Sequence, residues 1–252
     1  MAKALPDGLV PNSDMRELLV AKKLEGLFNK WYDDRPERSG IHASSVVQTD
    51  TQFCLRQLVL EAFFPHTPLR LFDKTKRIFL HGEVIHRKWQ ALFQAAGIAE
   101  VIEKTFYDKA TGLLFTPDVI ARMLGTRVIV EIKSMSHKSF TETNTPHALA
   151  RRQSNVYMHY SGVKLSLIIA EDKDNQDYKF WLLEYDPEAV QKYVRRLQRI
   201  VKFREIFKSS GKLPRRHTLC VDMSSPKARN CPVAQFCFSK TKREKLADAE
   251  TE

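Results

Sequence analysis

The spacing of apolar positions divides the chain into stretches of different period. Near the start it is helical. Asp14 and Glu17 form a capping box, and Val20, Leu24, Leu27, Phe28 and Trp31 follow at three- and four-residue intervals. A polar loop with Pro36 and Gly40 is expected over 32–41. A second helix is expected over 52–64, stopped by Pro65. A third is expected over 74–96, stopped by Gly97, with Ile78, Ile85, Trp89, Leu92 and Phe93 along one side. The period then shortens, predicting strands over 100–107, 113–123 and 127–135, with Asp108–Gly112 and Gly125–Thr126 between them. A helix over 146–160 follows, then strands over 163–170 and 178–185 about a polar turn. A long basic helix spans 187–208, with Pro187 in its first turn. Residues 211–238 read as irregular, and those from Ser239 as a charged tail. This order predicts an α/β core, a mixed central sheet flanked by helices. We expect a helical segment over 1–43, a core over 44–210, a cysteine-bearing segment over 211–238 and the tail over 239–252.

Composition narrows the class. The chain has 252 residues, 43% of them hydrophobic, enough for a packed core. Its formal net charge of +11 points to a polyanionic partner, nucleic acid or an anionic membrane. No run approaches the ~20 apolar residues of a membrane span, and Met1 to Pro11 lacks the apolar core of a secretory signal. A cytoplasmic location follows as the expectation. Reducing conditions there argue against structural disulfides among Cys54, Cys220, Cys231 and Cys237.

The chemistry concentrates in two predicted strands. Asp118 follows Pro117 in one, and Glu131-Ile132-Lys133 lies in the next. Residues two apart on a strand share a face, so Glu131 and Lys133 point together and Val130 and Ile132 point away. A hairpin would bring Asp118 beside them. Two carboxylates offer hard oxygen ligands for Mg²⁺ or Mn²⁺. Such an ion polarises a phosphate and acidifies its bound water. A neighbouring lysine positions the nucleophile or neutralises charge in the transition state. A surface Glu–Lys pair with an unrelated aspartate is the alternative, since short matches of this kind arise by chance.

The pattern resembles the PD-(D/E)XK nuclease superfamily. Flanking residues sharpen the likeness to its RecB-type branch. That branch carries Gly-x-x-x-His on an earlier helix, here Gly82-Glu83-Val84-Ile85-His86. It also carries Gln-x-x-x-Tyr on the helix after the lysine, here Gln153-Ser154-Asn155-Val156-Tyr157. The resemblance runs from about Ser44 to Cys237. It implies a restriction-endonuclease-like core and a metal-dependent deoxyribonuclease. Asp118, Glu131, His86 and the carbonyl of Ile132 would hold the ion, and Lys133 would activate or position water. Gln153 and Tyr157, on one helix face, would orient the site or contact the DNA backbone. The implied activity is that of an exonuclease on DNA with a free end.

Four thiolates suit Zn²⁺ or an iron–sulfur cluster, and spacing alone forces neither. One cysteine upstream and three downstream resembles the iron–sulfur subgroup of these nucleases, which includes the AddB nuclease domain and CRISPR-associated exonucleases. The resemblance implies a [4Fe–4S] cluster on Cys54, Cys220, Cys231 and Cys237. Cys231 and Cys237 match its last spacing, with Pro232 after the earlier of the two. Cys220 and Cys231 depart from it: ten residues intervene where two are usual, so a looped-out excursion is required.

Basic residues supply candidate phosphate contacts. Arg151 and Arg152 flank Gln153, and Arg56 closely follows Cys54. Lys192, Arg195, Arg196, Arg199 and Lys202 form a stripe on the long helix, read either as a phosphate track or as a solvated face. The chain lacks a GxxxxGK[ST] phosphate loop, so unwinding would fall to a helicase, recombination or CRISPR partner protein. Other readings are a DNA-binding assembly subunit on a nuclease scaffold, a structure-specific endonuclease, and a zinc protein of the same fold.

Overall fold

The computed structural model describes residues 13–33, 40–66, 73–239 and 241. The loop expected before Gly40 and the charged tail lie largely outside these residues. The elements in order are α1 (Ser13–Asp33), β1 (Ile41–His42), α2 (Ala43–Val46), α3 (Leu55–Leu60), α4 (Asp73–Ala95), β2 (Ala99–Ile102), β3 (Phe106–Asp108), β4 (Leu113–Phe115), β5 (Val119–Met123), β6 (Thr126–Met135), α5 (His137–Glu142), α6 (Ala148–Ser161), β7 (Leu165–Asp172), β8 (Tyr178–Glu184), α7 (Pro187–Ser210), α8 (Pro226–Arg229) and α9 (Ala234–Phe238). They form two compact units. One contains α1 and α4 as far as Glu83; the other contains α4 from Val84 and the elements that carry the site. In the first unit Val20, Leu24 and Leu27 of α1 are exposed.

The second unit is built on a five-stranded mixed sheet ordered β2-β5-β6-β7-β8. Its centre is the β5–β6 hairpin. Leu124 and Gly125 both take positive φ, the conformation of a two-residue turn whose twist suits paired strands. That turn sets Met123 opposite Thr126 and, at the far end, Val119 opposite Val130. The residue before Val119 therefore meets the level of Glu131. β6 continues parallel to β7, which requires a crossover; α5 and α6 supply it. Both faces are covered. Val130 and Ile132 pack with Ile85 and Trp89 of α4. Ile129, on the other face, packs with Val156 and Tyr157 of α6.

Two predicted strands are broken. The 100–107 run becomes β2 and β3, and the 113–123 run becomes β4 and β5, because β3 and β4 leave for a second sheet ordered β1-β4-β3. Residues 103–105 and 116–118 lie at the breaks. There the Glu103 N–H donates to the Asp118 carbonyl at 3.2 Å, and Glu103 takes φ +45°. The expected helix over 52–64 narrows to α3, and the irregular 211–238 stretch contains α8 and α9. Phe236 of α9 stacks on Phe64 at 4.6 Å, in an apolar cluster with Leu60 and Val233. Burial of one such ring contributes about 2 kcal/mol, which seats the C-terminal segment against α3.

Candidate metal-dependent active site

The site lies where β5 begins and β6 approaches its end. Ile129 shares a face with Glu131 and Lys133 by strand alternation, so both emerge on the α6 side of the sheet. Asp118 meets them at the strand edge. Its Oδ2 accepts from the Ile132 N–H at 2.6 Å. N–H and C=O of one strand residue point to the same side, so the Ile132 carbonyl also faces this edge. His86 reaches Asp118 from α4, with Nδ1 3.3 Å from Oδ1. Lys133 donates to Glu131 Oε1, while Glu131 Oε2 is buried with no hydrogen-bond partner.

Electrostatics follow from this packing. Burial raises the Glu131 carboxyl to about 7, against the pull of Lys133. Burial opposes charge on Lys133, but Glu131 and Asp118 outweigh it and hold the ammonium above its ordinary pKa. Burial likewise opposes charge on His86, and the Asp118 carboxylate overcomes it and raises the imidazole. The arrangement is a half-buried nest of donors around one acceptor without a partner. Two carboxylates, an imidazole nitrogen and a carbonyl are a donor set that fits a hard divalent cation.

Glu103 is a residue the sequence reading missed. Its carboxylate, Asp118 and His86 offer ligand atoms all within 4.8 Å of one another. Its spacing gives no hint of this, because the strand break that brings it there has no periodic signature. His147 was missed as well. It lines an open groove of about 460 Å³ with Ser134, Met135, Ser136, Ser139, Glu142 and Thr143, at the end of β6 beyond Lys133. Burial and then the charge of Lys133 lower its pKa.

The remaining candidates separate. Gln153 donates its amide to the hydroxyl of Tyr157, and Tyr157 is buried among core residues, its ring near that of Phe115. Arg151 is exposed, whereas Arg152 donates to the Val47 carbonyl at 2.8 Å. Arg56 makes contacts within the protein. Its guanidinium donates to Cys237 Sγ at 3.1 Å, to the Cys237 carbonyl at 3.0 Å and to the Pro214 carbonyl at 2.8 Å. The α7 stripe divides too: Arg196 is buried against the Val46 and Gln48 carbonyls and Asp50, and Lys192 pairs with Asp50. Phe53 lies under Arg196 and Trp89 donates to Glu171, so both serve packing.

Cys54, Cys220, Cys231 and Cys237 are not joined in disulfides, and all four line one cavity. The looped-out excursion ahead of Cys231 thus returns the chain to the same place as Cys220. Burial raises the thiols of Cys54 and Cys220, and that of Cys231 to about 12. Such thiols ionise only against a strong positive partner. His217 also lines the cavity, but its Nδ1 accepts from the Leu219 N–H and its Nε2 lies 3.3 Å from the Asp50 carbonyl. Both ring nitrogens are engaged. The four sulfurs are soft donors, but Cys237 Sγ already accepts from Arg56 Nε, and among the described residues the sulfurs do not form a group of ligand atoms within 4.8 Å of one another.

No protein-family model matches this sequence, and no curated protein does. Among solved structures, the fold matches the alkaline exonuclease LHK-Exo from Laribacter hongkongensis at TM-score 0.52 and 16% identity, over 73% of this chain and 97% of that one. It matches LHK-Exo in complex with dAMP at TM-score 0.51 and 14% identity, over 68% of this chain and 93% of that one. At these identities the likeness is one of fold: this chain shares with those structures an α/β fold, a mixed sheet flanked by helices, with the C-terminal cysteine segment as a minor addition.

Proposed function

We propose that this chain is a divalent-cation-dependent deoxyribonuclease that degrades DNA from an end. The observation that carries the reading is the meeting of His86, Asp118, Glu131 and Lys133 at one edge of the β5–β6 hairpin. The likeness of fold to an alkaline exonuclease supports it. Asp118, Glu131, His86 Nδ1 and the Ile132 carbonyl would hold Mg²⁺ or Mn²⁺. Such an ion polarises the scissile phosphate and lowers the pKa of its bound water. Lys133, kept cationic by Glu131, would donate to the attacking water or to the charge that develops on phosphorus oxygens. Gln153, fixed by Tyr157, would orient the backbone, and exposed Arg151 would bind a phosphate. The dAMP complex of LHK-Exo suggests a deoxynucleoside monophosphate as the product here.

A [4Fe–4S] cluster on the four cysteines would be structural, closing the long loop from Cys54 to the C-terminal segment. Zn²⁺ is the second reading, supported by the same four thiols. Unwinding of duplex ends would come from a helicase, recombination or CRISPR partner protein, in a reducing, cytoplasmic setting.

The test is digestion of end-labelled single- and double-stranded DNA with Mg²⁺ or Mn²⁺. Stepwise shortening is expected, with Asp118→Ala and Lys133→Ala each slowing it by roughly 10²–10³-fold. Activity that persists in both variants puts the chemistry elsewhere. DNA binding without cutting favours the scaffold subunit, and cutting of closed circles favours an endonuclease.

A further inference from the structure

Glu103 is the acid no motif selects, yet it stands with Asp118 and His86 in one ligand group. In octahedral Mg²⁺ or Mn²⁺, with oxygens at about 2.1 Å, adjacent ligands are roughly 3 Å apart and opposite ones roughly 4.2 Å. His86 Nδ1 and Asp118 Oδ1, 3.3 Å apart, have the separation of adjacent corners. The 4.8 Å limit on all three ligand atoms requires only side-chain adjustment to close around an ion. An independent observation lies on the buried side. Glu131 is 1% exposed, and among the described residues its Oε2 has no hydrogen-bond partner. A cation beside Asp118 would answer that orphaned acceptor. Glu103 is exposed, so it would face the same ion from solvent.

We infer that Glu103 is a ligand of the divalent cation, closing its solvent side together with His86 and Asp118 while Glu131 stands on the buried side. The inference rests on the cation-dependent reading above. It assigns to the site a carboxylate outside the Asp-Glu-Lys pattern, delivered by the break between β2 and β3.

Mn²⁺ alone is titrated into the chelator-stripped full chain, with free Mn²⁺ followed by its electron paramagnetic resonance signal. No DNA is present, so binding is read apart from activity. Glu103→Gln is expected to weaken Mn²⁺ binding about 10–100-fold, Glu103→Asp to recover part of it, and Asp118→Asn to abolish it. Because Glu103 is exposed, the melting temperature without Mn²⁺ should stay at the wild-type value. Should Glu103→Gln melt lower, recovery of affinity by Glu103→Asp decides the matter. Wild-type affinity in Glu103→Gln, with binding lost in Asp118→Asn, overturns the inference and leaves the nuclease reading standing. Wild-type affinity in Asp118→Asn, or no Mn²⁺ binding by the wild type, overturns both.

Discussion

Glu131 shows how one residue makes the site sensitive to pH. Without a cation the folded chain holds its proton up to about pH 7, against an ordinary value of 4.5, because burial disfavours the carboxylate. Between those values the folded state binds more protons than the unfolded state. Stability from this group is therefore complete below about pH 4.5 and lost as pH rises through about 7. In chelator, the melting temperature of the wild type relative to Glu131→Gln should fall across that interval. Added Mn²⁺ should flatten the difference, since a bound ion holds the carboxylate ionised. A wild type that gains stability relative to Glu131→Gln over the same interval would contradict the assignment. The sequence placed Glu131 and Lys133 on one face correctly, since strand alternation is local. It gave no sign that the site would be buried, because that depends on what α4 and α6 place over the sheet.

At the scale of elements, two arginines expected on basic surfaces act as internal ties. Arg196 holds the turn after α2 to α7 through two carbonyls and Asp50. Arg196→Ala leaves the Val46 and Gln48 carbonyls without their donor and should cost about 3 kcal/mol, lowering Tm by roughly 6–12 °C in a thermal melt. Exposed Arg195→Ala should leave Tm unchanged and reduce only DNA affinity. Arg56 ties α3 to the cysteine segment. Arg56→Gln should expose residues 211–239 to limited proteolysis before it changes catalysis, read as earlier cleavage on a gel at full initial activity. Helical period separates these roles: Arg196 lies three residues after Tyr193 and four before Ile200, on the buried face of α7, and Arg195 falls off that face; what the period leaves open is which acceptors meet the buried guanidinium.

At the scale of the whole molecule, charge and cysteines set the expected behaviour. With a net charge of +11, DNA binding through phosphates should weaken steeply with salt, by roughly 10³-fold or more between 50 and 200 mM if six or more phosphates are engaged. An affinity flat in salt would place recognition elsewhere. Substitution of any one of the four cavity cysteines by Ser should lower Tm and metal content together. Equal iron and sulfide in an anaerobic preparation would support the cluster, and zinc in a colourless one the alternative.

By itself the sequence determined the strand carrying Glu131 and Lys133 and its hairpin partner, the helices carrying His86 and Gln153, and the α/β class; Asp118, expected within that partner strand, lies just before β5. These follow from period, turn residues and local spacing, which act within a few residues. Only the tertiary structure decided where strands change sheets, and with that the place of Glu103, the burial of Glu131, and the return of Cys220 and Cys231 to one cavity. Those outcomes depend on contacts between distant segments, where packing and desolvation act on residues whose local pattern carries no trace of them.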